Sequence, residues 1–323
     1  MRVGVMYRCV RPPEELRDFA RRVEELGYDE LWVVEDCFFA GAISTAAVAA
    51  SVTERITIGI GILPAVLRNP ALAAMELANL ERLFPGRFIP GFGHGVTDWM
   101  RQIGALPPSQ LAALRETIDV VRRLLAGETV TTDGKYVHFD NVKLDYPPAA
   151  VPPIVSGVRS EKSLKLSGEV ANGTLLAELA TPTYQRWARG HIDAGRAAAG
   201  RTDEHQLITF AHFDLDPART NARLETATSL SYRSPFQLDD EALADRVRAL
   251  VESTGGPAEL AEALPDEALA QLAIAGSADD CVTGILALVE SGSDSVVFVP
   301  PKDPDLALVQ LDRAATEVLP NVR

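Results

Sequence analysis

The run Gly91-Phe92-Gly93-His94-Gly95 sets one imidazole among three glycines. An imidazole titrates near neutral pH, so His94 suits proton donation, proton removal or a contact to a bound group. A histidine that ties its own loop together carries the same signature. Glycines without Cβ let a flat ring approach the backbone, and they equally make a tight turn. A dinucleotide fingerprint starting at Gly91 needs glycine at position 96, where the chain has Val96. No helix with an acidic partner is expected to open there.

Three more groups have the residue types for chemistry. Ile60-Gly61-Ile62-Leu63-Pro64 puts a glycine late in an apolar run. This reads as a bulge or a close ligand approach, with an ordinary kink as the alternative. Ser156-Gly157-Val158-Arg159-Ser160 ends one apolar run and opens a helical pattern. Free N–H groups at a helix start attract phosphate, and Arg159 and Lys162 add positive charge; simple capping by Ser160 is the alternative. Glu35-Asp36 and Glu178 follow apolar runs. They can do general acid–base work or tie loops.

Other chemistries fit poorly. The histidines are His94, His138, His191, His205 and His212, with no His-x-His or His-x-x-x-His pair, so no metal site is expected. No G-x-S-x-G elbow occurs, and Cys37 lacks a histidine partner in sequence.

The elements that must position these groups alternate regularly. Strands are expected at Arg2–Met6, Glu30–Val34, Ile56–Ile62, Arg87–Pro90, Pro153–Ser156, Gly173–Ala177, Gln206–Phe213 and Ser295–Val299. Helical spacing covers Glu14–Leu26, Ser44–Val52, Pro70–Phe84, Ser109–Ala126, Glu161–Gly168, Thr181–Ala199, Asp216–Ser229, Ala278–Ser291 and Asp303–Val318. Asp133-Gly134 centres a hairpin in Val130–Leu144, and Leu238–Leu264 with Asp266–Gln271 reads as a helical insertion. Eight βα units predict a (β/α)8 TIM barrel with insertions, spanning 1–323 as one domain; an open doubly wound sheet is the rival. In a barrel, function sits at the C-terminal strand ends. These are Tyr7/Arg8, Glu35–Cys37, Gly61/Ile62, Gly93/His94, Ser156/Gly157, Ala177/Glu178, His212/Asp214 and Pro300.

Composition narrows the partners. In 323 residues, 31 Lys and Arg face 45 Asp and Glu, a net charge of −14. Such a field repels phosphate backbones, so nucleic acid is not an expected partner, and an anionic small ligand needs a local basic patch. Three scattered cysteines without CxxC suggest a reduced, cytoplasmic protein. No 18-residue apolar run predicts a membrane span.

Six pieces in register resemble the bacterial luciferase-like monooxygenase superfamily. They are Glu24-Glu25-Leu26-Gly27-Tyr28-Asp29-Glu30-Leu31-Trp32-Val33-Val34-Glu35-Asp36, Thr53–Gly59 followed by Arg68-Asn69-Pro70, and Gly86-Arg87-Phe88 through Gly95. The others are Leu124–Glu128, Ala171-Asn172-Gly173, and Ala275-Gly276-Ser277 with Glu290–Asp294. The chain looks most like the deazaflavin branch, whose members use coenzyme F420; flavin mononucleotide (FMN) is the family's alternative. The resemblance implies hydride transfer between reduced coenzyme F420 and a small organic substrate. The alternatives are an FMN monooxygenase fed by a separate reductase and a non-catalytic flavin-binding barrel. It implies a non-proline cis peptide at Gly61–Ile62 behind the ring and Asp36 at the ring. It also implies phosphate contacts at Gly157 and Val158, further contacts at Ala177 and Glu178, and a homodimer. Gly93, His94, Ser156 and Arg159 complete the expected cofactor contacts. The sugar-phosphate dehydrogenases of this branch have a catalytic histidine where this chain has Cys37, and a glutamate donor where it has Val96. His94 is the candidate replacement. Phe38, Phe39, Phe92 and Trp99 are candidate apolar walls, or ordinary core.

Overall fold

In a computed structural model, which describes residues 1–232 and 235–323, the alternating pattern closes into a ring. In chain order the elements are β1 (Arg2–Tyr7), α1 (Leu16–Glu25), β2 (Glu30–Val33), α2 (Ala42–Ser51), β3 (Thr57–Pro64), α3 (Pro70–Leu83) and β4 (Phe88–Gly93). Then follow α4 (Thr97–Gln102), α5 (Gln110–Leu125), the hairpin β5 (Val130–Asp133) and β6 (His138–Val142), β7 (Val155–Gly157), α6 (Glu161–Val170), β8 (Gly173–Leu176) and α7 (Pro182–Ala198). The last stretch holds β9 (Gln206–Asp214), α8 (Thr220–Ser231), α9 (Glu241–Ser253), α10 (Pro257–Ala263), α11 (Asp266–Leu272), β10 (Ile274–Ala275), α12 (Ala278–Glu290), β11 (Ser295–Val299) and α13 (Pro304–Glu317).

All eight expected barrel strands form. They pair in parallel in the order β9-β11-β1-β2-β3-β4-β7-β8, and β8 pairs with β9 to close the barrel. The expected (β/α)8 barrel is therefore the fold, and the open sheet is excluded. Period-two alternation divides each strand between two cores. Inward residues such as Met6, Trp32, Val155, Leu175, Phe210 and Val297 fill the barrel. Outward residues such as Val5, Leu31, Ile58 and Ile60 pack on the helices.

Trp32 plugs the barrel and is fully buried. Its indole N–H donates to Glu30 Oε2 at 2.7 Å, and Ser295 Oγ donates to the same oxygen at 2.7 Å. Arg2 reaches Glu30 Oε1 at 3.1 Å, so this buried carboxylate is paired and bonded, as burial demands. Gly59 faces Trp32, and a Cβ there would lie 2.2 Å from the indole. The first glycine of the β3 run is thus room for tryptophan rather than for a ligand.

Beyond shifts of a few residues at element ends, four features differ from expectation. Gly255 and Gly256, with Gly256 at φ +155°, break the long Leu238–Leu264 helix into α9 and α10, and Pro257 starts the second. Asp216 Oδ1 takes Ala218 N–H at 3.0 Å in a turn, so α8 starts at Thr220 rather than Asp216. A two-residue strand, β10, adds beside the end of β9. The short helix α4 opens after the glycine loop, with Asp98 in its first turn. A helix does open there, which corrects that part of the expectation, but Asp98 is not the fingerprint's distant acid and Val96 still breaks the glycine pattern. Helices α8 to α11 share a small core of their own, including Leu230, Val247, Leu260 and Leu269.

His205 gives the fold a pH dependence. It is 8% exposed, its Nε2 bonds Thr174 Oγ1 at 2.8 Å, and burial, aided by Arg189, Arg196 and Arg201, pulls its pKa down to about 3. The unfolded chain protonates it near pH 6.5 and the folded chain does not. The stability it contributes is complete above pH 6.5 and is lost as pH falls from 6.5 toward 3. Thermal melts are expected to drop over that window, and His205→Gln is expected to flatten the drop. Parallel curves for both proteins would contradict this.

Candidate active site

A cavity of about 620 Å³ opens at the C-terminal ends of the barrel strands. Of the expected site residues, Asp36, Gly61, Ile62, His94, Gly157, Val158, Arg159, Ala177 and Glu178 line it together. Gly93 and Ser156 do not. Ser156 has no exposed surface, and Gly93 stands in the wall, where a Cβ would lie 2.7 Å from Gly157 O and 3.0 Å from Ile62. They shape the wall from behind instead of facing its interior.

The floor is built from backbone. Between Ile60 and Leu63 the pairing of β3 with β4 shifts register, which is the expected bulge. The Gly61–Ile62 peptide is cis, and Cys37–Phe38 is a second cis peptide. Any side chain on Gly61 would meet Leu175 at 2.8 Å and Phe210 at 2.9 Å. One on Gly157 would meet Ile62 Cγ2 at 2.5 Å. Only glycine at both places leaves a flat, apolar floor, and a planar ring fits such a floor.

The start of α6 forms one wall. Ser160 does not cap it: its hydroxyl donates to Ser163 Oγ at 3.1 Å and accepts no N–H of the first turn. The first-turn N–H groups therefore keep their capacity for an anion. Arg159 donates to Glu178 O, and its Nε is buried without a partner. An orphaned guanidinium N–H beside an open helix start suits a phosphate. Lys162 is exposed and lies off the cavity.

Titratable groups divide into bound and open ones. Glu35 accepts two bonds from Arg68, at 2.5 and 2.7 Å, and one from Ala42 N at 3.0 Å; it ties the loop to α2. Asp214 receives Ala222 N at 2.9 Å and Gln310 Nε2 at 2.7 Å, so it too is structural. Asp36 Oδ2 accepts the Cys9 thiol at 3.2 Å. Burial pushes the Asp36 carboxyl above its usual range, Cys9 offsets this in part, and nearby Glu178 adds to it. Burial also pushes the Cys9 thiol up to about 12, so it stays protonated and donates. His94 Nε2 bonds Ser163 Oγ at 2.9 Å, and its Nδ1 is closed off without a partner. Burial lowers its pKa, so the imidazole is neutral at pH 7.

Several lining residues escaped the sequence. Cys9 and Val10 come from the loop after β1, Gln110 and Ser163 from first turns of helices, and Leu175, Phe210 and Val299 from inward strand positions. The inward ones follow from alternation once the barrel is fixed. The helix-start ones carry no signal in type or spacing. Of the candidate apolar walls, Trp99 lines the cavity. Phe92 is buried core, and Phe38 and Phe39 are exposed outside the cavity.

The class is that of closed (β/α)8 barrels, here with a bulged β3 and glycines lining a cavity at the strand ends. The chain belongs to the luciferase-like monooxygenase family, whose pattern matches residues 1–295. It is 28% identical over 317 residues to the 5,10-methylenetetrahydromethanopterin reductase of Archaeoglobus fulgidus, covering 94% of this chain and 95% of the relative. It is 26% identical over 332 residues to the F420-dependent glucose-6-phosphate dehydrogenase of Microbacterium testaceum, covering 96% and 94%. The solved coenzyme F420 dependent tetrahydromethanopterin reductase of Methanopyrus kandleri superposes with a TM-score of 0.85 at 23% identity, covering 100% of this chain and 99% of that one. Among the described residues no helix is long and apolar enough to cross a membrane.

Proposed function

We propose that the chain is a coenzyme F420-dependent oxidoreductase, a single barrel domain over 1–323 that acts on a small organic molecule in the cytoplasm. The observation that carries this reading is the glycine floor at Gly61 and Gly157, cavity-lining positions where a Cβ would collide with Leu175, Phe210 or Ile62. The F420-dependent relatives support the choice of coenzyme. The three free cysteines support a reducing compartment.

When bound, coenzyme F420 supplies a hydride carrier that needs no oxygen. The chain supplies position. Gly61, Ile62 and Gly157 back the ring, with Gly93 and Ser156 holding that wall from behind. Asp36, Ala177 and Glu178 meet the ring edge. The open start of α6, Val158 and Arg159 hold the phosphate. Trp99 and Val10 exclude water from the acceptor. His94 is placed to pass a proton from Nε2 through Ser163 Oγ, which lines the same cavity, to the reduced acceptor and to recover it from water.

The test is anaerobic turnover. Protein, reduced coenzyme F420 and a panel of carbonyl, imine and enone acceptors are expected to restore the oxidised coenzyme's visible absorbance with at least one acceptor. Bound coenzyme without turnover across the panel overturns the assignment of activity. Oxygen-dependent turnover with FMN and a separate reductase would establish the monooxygenase reading in its place.

The chain is expected to work as a homodimer through α3. Leu72, Met75 and Leu83 lie at helical spacing on its outer side and are 47%, 57% and 63% exposed. Light scattering is expected to give twice the 34.8 kDa chain mass, falling to one chain in Met75→Asp/Leu83→Asp. A wild-type mass of one chain contradicts the pairing.

A further inference from the structure

The charge that the cavity offers a second ligand depends on which cations are already engaged. Among the described residues it holds two guanidinium groups, Arg8 and Arg159. Arg159 sits at the start of α6, on the coenzyme side. Arg8 is fixed at both ends of its fork: Nη1 donates to Pro300 O at 2.9 Å and Nη2 to Glu225 Oε2 at 3.0 Å. Glu225, from α8, has a side chain only 12% exposed, and its Oε1 takes Lys302 Nζ at 3.1 Å. One buried carboxylate therefore holds two cations, and both draw its pKa below the usual range against the opposing effect of burial. Arg68, nearby, is likewise held by Glu35 and Glu76.

Of the three carboxyls on the cavity wall, Arg68 matches Glu35, but Asp36 and Glu178 are not matched in this way. Asp36 is bonded only to the Cys9 thiol, and Glu178 makes no ion pair among the described residues. Val10, Val96, Trp99 and Pro235 complete an apolar wall. An anion placed there would lose its hydration, face two carboxyls and, among the described residues, find no unengaged cation beyond Arg159. In a medium of low dielectric that arrangement is unfavourable.

We propose that Glu225 is the specificity-determining residue of this site: by holding Arg8, it makes the site take an uncharged or cationic acceptor and reject a phosphorylated or carboxylated one. The proposal rests on reading the cavity as the place where the acceptor meets the coenzyme. Glu225 touches neither partner and acts through Arg8, so it is a positioning residue.

Three probes of one shape test it: benzyl alcohol, benzylammonium and benzoate, titrated calorimetrically into the F420-bound protein. Benzoate is expected to bind at least about tenfold more weakly than the other two. Glu225→Gln, which frees the Arg8 fork, is expected to shrink that gap to within about threefold. Lys302→Ala, which leaves the Arg8–Glu225 pair, is expected to preserve it. Equal or tighter benzoate binding to the wild type overturns the proposal, as does failure of both other probes to bind. An unchanged gap in folded Glu225→Gln also overturns it. If that variant does not fold, the wild-type ratio decides. If coenzyme F420 does not bind, the cofactor reading fails, and the same ratios on the cofactor-free protein still judge the role of Glu225.

Discussion

A valine in place of Gly157 is expected to remove coenzyme binding while leaving a folded barrel. The new Cβ would lie 2.5 Å from Ile62 Cγ2, so Ile62 must shift. Ile62 packs over two glycines of β4, where a Cβ on Gly91 would stand 3.2 Å from its Cγ2 and one on Gly93 3.0 Å from its Cδ1. Ile62 lines the cavity, so the shift that relieves the clash reshapes the floor. Overpacking at a single site usually costs about 1–3 kcal/mol, which a barrel of this size tolerates. The floor, however, loses the flatness a ring needs. Affinity for coenzyme F420 is expected to fall at least about 100-fold, equivalent to roughly 2.7 kcal/mol. Fluorescence titration reads the affinity and circular dichroism the fold. Undiminished affinity would mean that Gly157 does not face the ring.

The second large effect is on stability. Gly168 and Gly195 sit where α6 crosses α7. A Cβ at Gly168 would lie 2.0 Å from Ile192 O, and one at Gly195 would lie 2.0 Å from Lys165 O. Both obstacles are backbone, so no rotamer change relieves them, and the helices must separate. Close-packed interiors do not absorb such a shift cheaply. Gly168→Val is expected to lose about 3 kcal/mol or more of stability, read as a lower denaturation midpoint. A loss below about 0.5 kcal/mol, the level of an ordinary surface substitution, would contradict it. Because α6 also carries Ser160 and Ser163 to the cavity, a folded fraction of this variant is expected to bind coenzyme weakly as well.

The sequence made the barrel legible because its signals are local and repeated. Eight apolar runs, each followed by a helical spacing, leave few topologies, and all eight strands formed. What it left unread depends on partners distant in the chain. Ile-Thr-Ile-Gly-Ile-Gly-Ile shows two glycines of one kind, but Gly59 makes space for Trp32 and Gly61 faces the cavity. Only the register of β2 against β3 separates them. The glycine loop drew attention to Gly93, which turns out to let β4 lie against β7. Ser160 has the type and position of a helix cap, yet its hydroxyl turns to Ser163. Glu35 and Asp36 are adjacent, yet Arg68 claims the first and leaves the second to Cys9. The Arg8–Glu225 bond spans 217 positions, a separation that no spacing rule reaches.

One measurement tests the central claim most directly. Purified protein stripped of cofactor is titrated in parallel with oxidised coenzyme F420 and with FMN, each followed by fluorescence. The account predicts saturable binding of coenzyme F420, FMN at least about tenfold weaker, and loss of the F420 signal in Gly157→Val. Tight binding of FMN alone would move the chain to the oxygen-using side of its family. Binding of neither would show that the floor of Gly61, Ile62 and Gly157 does not hold a flavin-like ring.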